Sequence, residues 1–134
     1  MHGKIRLISL LLLVLFSGIS CWESKPSLEE QNAIKALTTI QNGIDANISL
    51  EAYLGLVSSA KADVDILKRA PEKNSCVMSA VERSYAAYEI VGRAWQKKIN
   101  AKDEKRKQDL NTTMAFTLSF ALLNIEKANK CYNK

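Results

Sequence analysis

The sequence predicts an all-α fold, an antiparallel up-down four-helix bundle, from three observations. Four segments repeat their apolar residues at steps of three and four, which is the spacing of one helix face. Short connections join these segments, and none shows the sustained alternation of a β-strand. Gly and Pro number only 5 and 2 in 134 residues, too few for a many-turned β-sandwich. We therefore expect one helical domain over 27–134, with helices at about 28–43, 50–69, 75–99 and 104–132.

Cap residues define the first two helices. Ser27 begins a capping box whose N3 residue is Glu30, and Gly43 is the expected end of the first helix. Ser49 is the expected N-cap of the second helix, which ends before Pro71. Because the first helix is the shortest, a three-helix core with a loosely docked first helix is the alternative to a full bundle.

The last two helices carry the longest apolar stripes. The third has either Asn74 or Ser75 as its N-cap, and Asp103 caps the fourth. From Ala115 to Leu123 the fourth helix is apolar on most sides, so we expect it to be the most buried of the four. A heptad seam runs along the third helix through Val77, Val81, Ser84, Tyr88, Val91 and Trp95.

The first 20 residues have the three parts of a secretory signal peptide. Lys4 and Arg6 precede an unbroken apolar run from Ile8 to Phe16, and small residues follow. The run is too short for a membrane span, which needs about 20 apolar residues. We therefore expect residues 1–20 to be removed during export.

The segment Ser17-Gly18-Ile19-Ser20 before Cys21 resembles the lipobox of bacterial lipoproteins, with Gly18 where leucine is usual. The resemblance implies a diacylglyceryl group on Cys21, cleavage on its amino side, and further acylation by a fatty acid such as palmitate. Residues 21–26 are then a lipidated tether. Since Trp22 follows the cysteine where a retention signal has Asp, the resemblance implies the periplasmic side of the envelope, with the outer membrane favoured. Ordinary secretion and an uncleaved anchor are the alternatives.

Cys76 and Cys131 remain as an even pair in an oxidising compartment once Cys21 is lipidated. Their helices meet at a turn near Ala101, which is 25 residues after Cys76 and 30 before Cys131. At about 1.5 Å per residue, the two cysteines differ in height by only about 7 Å. We therefore predict a Cys76–Cys131 disulfide. Two free buried thiols or a redox-active pair are the alternatives.

The only histidine, His2, lies in the expected signal peptide. The mature chain therefore lacks the residue needed for Ser-His-acid catalysis, His-ligated haem and most catalytic zinc sites. We expect no enzyme, no catalytic residue, no cofactor and no metal site. Without residues 1–20 the chain has 17 basic and 14 acidic residues, a net charge of +3, so we also expect no nucleic-acid partner.

A cluster of seven basic residues surrounds the expected turn between the last two helices. We consider it a candidate contact patch for anionic lipid headgroups, peptidoglycan or an acidic partner, with a solvated helix end as the alternative. The patch comprises Arg93, Lys97, Lys98, Lys102, Lys105, Arg106 and Lys107.

Two functions follow from these features. The first is a membrane-tethered envelope lipoprotein that docks another envelope protein and has no enzymatic role. The second is a small hydrophobic-ligand or lipid-binding bundle with an apolar pocket near Tyr53, Tyr85, Tyr88 and Trp95, although we expect these residues to be ordinary core. The stretches ISLEAYLGLVSSAKADVDIL and AYEIVGRAW are similar to small exported helical proteins of bacteria, a resemblance that implies no activity.

Overall fold

The computed structural model describes residues 25–134, which form an antiparallel up-down bundle of four α-helices. This confirms the predicted fold class. The predicted signal peptide, 1–20, and residues 21–24 of the tether, with Cys21, lie outside the described residues. The helices are α1 (Leu28–Asp45), α2 (Leu50–Arg69), α3 (Ser75–Asn100) and α4 (Glu104–Tyr132).

Each helix begins at a polar side chain that accepts hydrogen bonds from backbone amides. Ser27 Oγ accepts from the amide of Glu30, and the Glu30 carboxylate accepts from the amide of Ser27, which is the predicted capping box. Ser49, Asn74 and Asp103 begin the other three helices in a similar way. These bonds satisfy amides that no carbonyl within the helix can reach.

The end of α1 differs from the sequence prediction. Gly43 lies inside the helix, which continues to Asp45, and the residue with a positive φ is Asn47, at 54°. A Cβ atom on Gly43 would lie 2.8 Å from Ile48 Cδ1 and 2.9 Å from Leu56 Cδ1. Glycine at this position therefore lets two neighbouring side chains approach α1 and does not end the helix.

One apolar core runs through all four helices. Leu37 and Ile40 of α1 are fully buried in it, so the alternative of a loosely docked first helix is excluded. α1 packs against each of the other helices, whereas no Cα atom of α2 lies within 8 Å of a Cα atom of α4. The largest fully buried side chains include Tyr53, Tyr88, Leu37, Ile40 and Leu67.

The closest helix pair is the hairpin formed by α3 and α4. Small residues are buried on both helices, among them Ala80 and Ser84 on α3 and Ala121 and Ala128 on α4. Ser84 Oγ donates a hydrogen bond to the carbonyl oxygen of Ala121 at 3.0 Å. A short side chain can reach a backbone carbonyl of the next helix only where the two backbones lie close together.

A disulfide between Cys76 and Cys131 joins the two ends of this hairpin, as the sequence predicts. The two Cα atoms are 5.9 Å apart. The prediction follows from geometry, because antiparallel helices of similar length bring the first residue of one close to the last residue of the other. The alternative of two free thiols is excluded.

A buried carboxylate attaches α1 to the same end of the bundle. Besides accepting from its own N-cap, Glu30 accepts a hydrogen bond from the amide of Asn74 at 2.6 Å. Asn74 in turn donates from its side chain to the carbonyl oxygen of Cys131 at 3.3 Å. The beginnings of α1 and α3 and the end of α4 are thus held together at one end.

Candidate functional site

The fourth helix is the least buried of the four, so the prediction that it is the most buried is wrong. Among its 29 residues only Ala121, Asn124, Ile125 and Ala128 are buried. The apolar stretch from Ala115 to Leu123 carries more apolar side chains than one face of a helix can hold. Because α4 packs against the bundle on one side only, the remaining apolar side chains point into solvent.

These exposed side chains form a continuous surface with one residue of α3. Phe116, Phe120 and Leu123 follow one another at steps of four and three along α4, and they are 75%, 49% and 62% exposed. Ile90 of α3, 42% exposed, shares an open groove of about 430 Å³ with Phe116 and Phe120. We call these four residues the apolar face. Contiguous exposed apolar side chains of this kind mark interaction sites.

The apolar face belongs to a second heptad seam on α4. The first seam of α4 faces the core with partly or fully buried residues, whereas every residue of the second is exposed. The first seam consists of Leu110, Met114, Thr117, Ala121, Ile125, Ala128 and Tyr132. Phe116, Phe120 and Leu123 supply the apolar positions of the second seam, at the steps of four and three with which one helix packs against another, and polar or charged residues continue the spacing on either side. This was the signal in the sequence that could have identified the site. The second seam consists of Asp109, Thr113, Phe116, Phe120, Leu123, Lys127 and Lys130.

The side chains around the apolar face are small in the middle of the groove and basic at its edges. Ala86 and Ala87 line the groove beside Ile90, leaving room for a side chain from outside. Arg83 also lines the groove, and Lys127 lies one helical turn beyond Leu123. A partner that fits this surface has apolar side chains at its centre and acidic ones at its edge.

No known protein family, curated protein or solved structure matches this chain. Within residues 25–134, no three side chains of His, Cys, Asp or Glu are grouped so that they could hold a metal ion. In the same range no helix is both long and apolar enough to cross a bilayer.

The structure brings together only part of the predicted basic patch. Lys107 is paired with Glu104 on the preceding turn, and Lys98 and Lys105 lie outside the groove at the end of the hairpin. The other four line that groove, which has a volume of about 590 Å³. They are Arg93, Lys97, Lys102 and Arg106.

Two of the aromatic residues that the sequence left as pocket candidates, Tyr53 and Tyr88, are fully buried in the core, and the other two, Tyr85 and Trp95, are partly buried against it. Tyr53 packs its ring against Trp95 with centroids 5.6 Å apart and donates its hydroxyl to the carbonyl oxygen of Tyr88 at 2.6 Å. Tyr88 donates to Gln41 Oε1 at 3.0 Å. A Cβ atom on Gly92 would lie 3.3 Å from the Tyr53 ring, so this ring fills the space beside the glycine.

Burial moves the pKa values of three tyrosine hydroxyls still further above neutral pH. It raises the pKa of Tyr53 and of Tyr88 far above the ordinary value of 10. Burial, aided by the negative charge of Glu89, raises the pKa of Tyr85 to about 12. These hydroxyls therefore act as hydrogen-bond donors in the structure and not as groups that exchange protons at neutral pH.

Proposed function

We propose that the protein is a non-enzymatic interaction module of the bacterial cell envelope, tethered to the membrane through a lipid on Cys21 and facing the periplasm. The apolar face on the α3–α4 hairpin is the observation that carries the proposal. Exposed apolar surface is unfavourable in water, and docking a partner removes it from water. The disulfide and the close helix pairing hold this surface in one shape before a partner binds.

The partner we propose is an amphipathic helix of another envelope protein. The second seam of α4 presents the spacing that a helix recognises, and the alanines of the groove leave space for its side chains. The margins carry three basic residues, Arg83, Lys127 and Lys130, and two acidic ones, Asp109 and Glu126, so they keep a net positive charge. An acidic partner therefore matches the charges better than a second copy of this chain does.

The filled interior supports docking over the carrier alternative. Tyr53 and Tyr88 are fully buried and hydrogen-bonded between the helices. A ligand entering there would have to displace both rings from close-packed surroundings. The surface of the bundle, in contrast, offers an apolar site that needs no rearrangement.

The test is site-specific photo-crosslinking in bacterial cells that produce the full chain. Benzoylphenylalanine placed at Phe120 or at Ile90 is expected to give the same discrete adduct with one envelope protein. The same group at Thr39, an exposed position on α1, is expected to give none. Leu123→Gln is expected to reduce the Phe120 adduct about tenfold, because the loss of an apolar contact worth about 1.4 kcal/mol lowers affinity by that factor.

The matched control for Leu123→Gln is Leu28→Gln, because Leu28 is an equally exposed leucine on α1, 66% against 62%. This control is expected to leave the adduct unchanged. The proposal is overturned if Thr39 gives the same adduct, if the only adduct is with lipid or with a second copy of the chain, or if no adduct forms.

A further inference from the structure

We infer that the turn between α3 and α4 holds a binding site for the phosphate groups of anionic lipid headgroups. We call this site the tip groove. It is separate from the apolar face and needs no protein partner, so the inference goes beyond the proposed function. Its polar lining consists of four cations and two amides, namely Arg93, Lys97, Lys102, Arg106, Gln96 and Asn100.

The positive charge of the tip groove is not neutralised by its own lining, which contains no carboxylate. The nearest acids in sequence have other partners. Asp103 accepts hydrogen bonds from the amides of Lys105 and Arg106, at 3.2 and 3.3 Å, as the N-cap of α4. Glu104 is paired with Lys107. Both acids stay charged, but residues 93–107 hold seven basic and two acidic side chains, so a net charge of +5 remains around this open groove.

The geometry of the cations suits a phosphate group. Arg93 and Lys97 lie one turn apart on α3, Lys102 is in the turn, and Arg106 is on α4, so positive groups approach from several sides. Guanidinium groups bind phosphate oxygens in a bidentate manner, and the two amides add neutral donors. A groove of about 590 Å³ is large enough for a headgroup as well as for a single phosphate.

An exposed apolar side chain at the same end favours a lipid surface over a free anion. Ile99, two residues after Lys97, is 61% exposed. No residue from 96 to 113 is buried, so this end of the hairpin projects beyond the core. A projecting apolar side chain among cations is the composition that binds the boundary between headgroups and acyl chains.

The proposed tether is compatible with contact between the tip groove and a membrane. Lys25 and Pro26 lie beside Asn74 and Cys131, so the tether leaves the bundle at the disulfide end. α3 has 26 residues and is about 40 Å long, which places the tip groove at the opposite end. The four residues from Cys21 to Ser24 span at most about 14 Å, a tether short enough to keep the bundle beside the bilayer that holds its lipid, where it can lie along the surface. Two membrane signals would then act together.

The test is cosedimentation with lipid vesicles, using the mature chain 21–134 with Cys21→Ser, which contains the whole described bundle. We expect binding to vesicles of equal parts phosphatidylglycerol and phosphatidylcholine and none to phosphatidylcholine alone. Lys97→Gln with Arg106→Gln is expected to weaken binding about tenfold or more, from the loss of two cations near an anionic surface. Both side chains are exposed, so circular dichroism is expected to show an intact bundle.

The matched control is Lys35→Gln with Lys134→Gln, which removes the same charge from exposed positions away from the tip groove and from the apolar face. Its binding is expected to change less than about twofold. The inference is overturned if both double variants lose binding equally or if phosphatidylcholine vesicles bind as well. It is also overturned if inorganic phosphate perturbs the NMR signals of Lys97 and Arg106 while vesicles do not bind, since the groove would then be a free-anion site.

Discussion

Replacing Cys76 and Cys131 together by serine is expected to lower the free energy of unfolding by about 4 kcal/mol. The bond spans 55 positions, and a crosslink over such a loop removes a large part of the conformational freedom of the unfolded chain. The measurement is urea unfolding of the oxidised wild type and the double variant, followed by circular dichroism.

Two controls show whether the disulfide is the cause of this loss. Reduced wild-type protein is expected to unfold at the same urea concentration as the double variant. Each single Cys→Ser variant is expected to be as unstable as the double variant, because either change removes the whole bond. Equal midpoints for the oxidised wild type and the double variant would contradict the prediction.

The second large effect is expected from Tyr53→Ala, a loss of about 4 kcal/mol in the free energy of unfolding. Tyr53 is fully buried, and its removal leaves a cavity beside Trp95 and Gly92. Tyr53→Phe keeps the ring and removes only the hydrogen bond to Tyr88, so it is expected to cost about 1 kcal/mol. Both values come from urea unfolding of purified protein.

Phe116→Ala is the matched control for Tyr53→Ala, because Phe116 is an aromatic residue on the apolar face that is 75% exposed. We expect it to change the free energy of unfolding by less than about 0.5 kcal/mol. If Phe116→Ala destabilised the bundle as much as Tyr53→Ala, Phe116 would be part of the core, and the account of the apolar face would be wrong.

The fold was predictable because its signals are local. Three of the four helices have their N-cap residue immediately before an apolar stripe of helical spacing, namely Ser27, Ser49 and Asp103. The cap and the stripe therefore predict the same first residue for each of these helices. The disulfide followed from these boundaries, since the lengths of two antiparallel helices determine which ends meet. Agreement between several local signals makes a fold readable from the sequence.

The errors arose where a residue's role depends on a distant neighbour. Gly43 is a residue type that often ends a helix, but here glycine lets the side chains of Ile48 and of Leu56 on the next helix pack against α1. The apolar stretch of α4 shows two seams, and periodicity alone does not say which of two apolar faces is covered. Only the packing of α4 against one side of the bundle shows that Phe116 and Phe120 are left in solvent.

The candidate site was only partly predictable for the same reason. The second seam of α4 can be read from the sequence by following steps of four and three through Phe116, Phe120 and Leu123. The contribution of Ile90 to the apolar face cannot be predicted from the sequence, because it depends on how α3 and α4 align. The sequence predicted the basic residues near the turn as one patch. Only the positions of the side chains show that four of them line the tip groove, whereas Lys107 pairs with Glu104.

The most direct test of the central claim, that this bundle is a lipid-tethered module of the envelope, is the intact mass of the protein from fractionated bacterial cells that produce the full chain. We expect a membrane-bound species that begins at Cys21, carries the mass of its acyl groups and contains a closed disulfide. Cys21→Ser is predicted to release the protein from the membrane without unfolding it. An uncleaved chain of 134 residues in the cytosol, with its thiols free, would contradict the account.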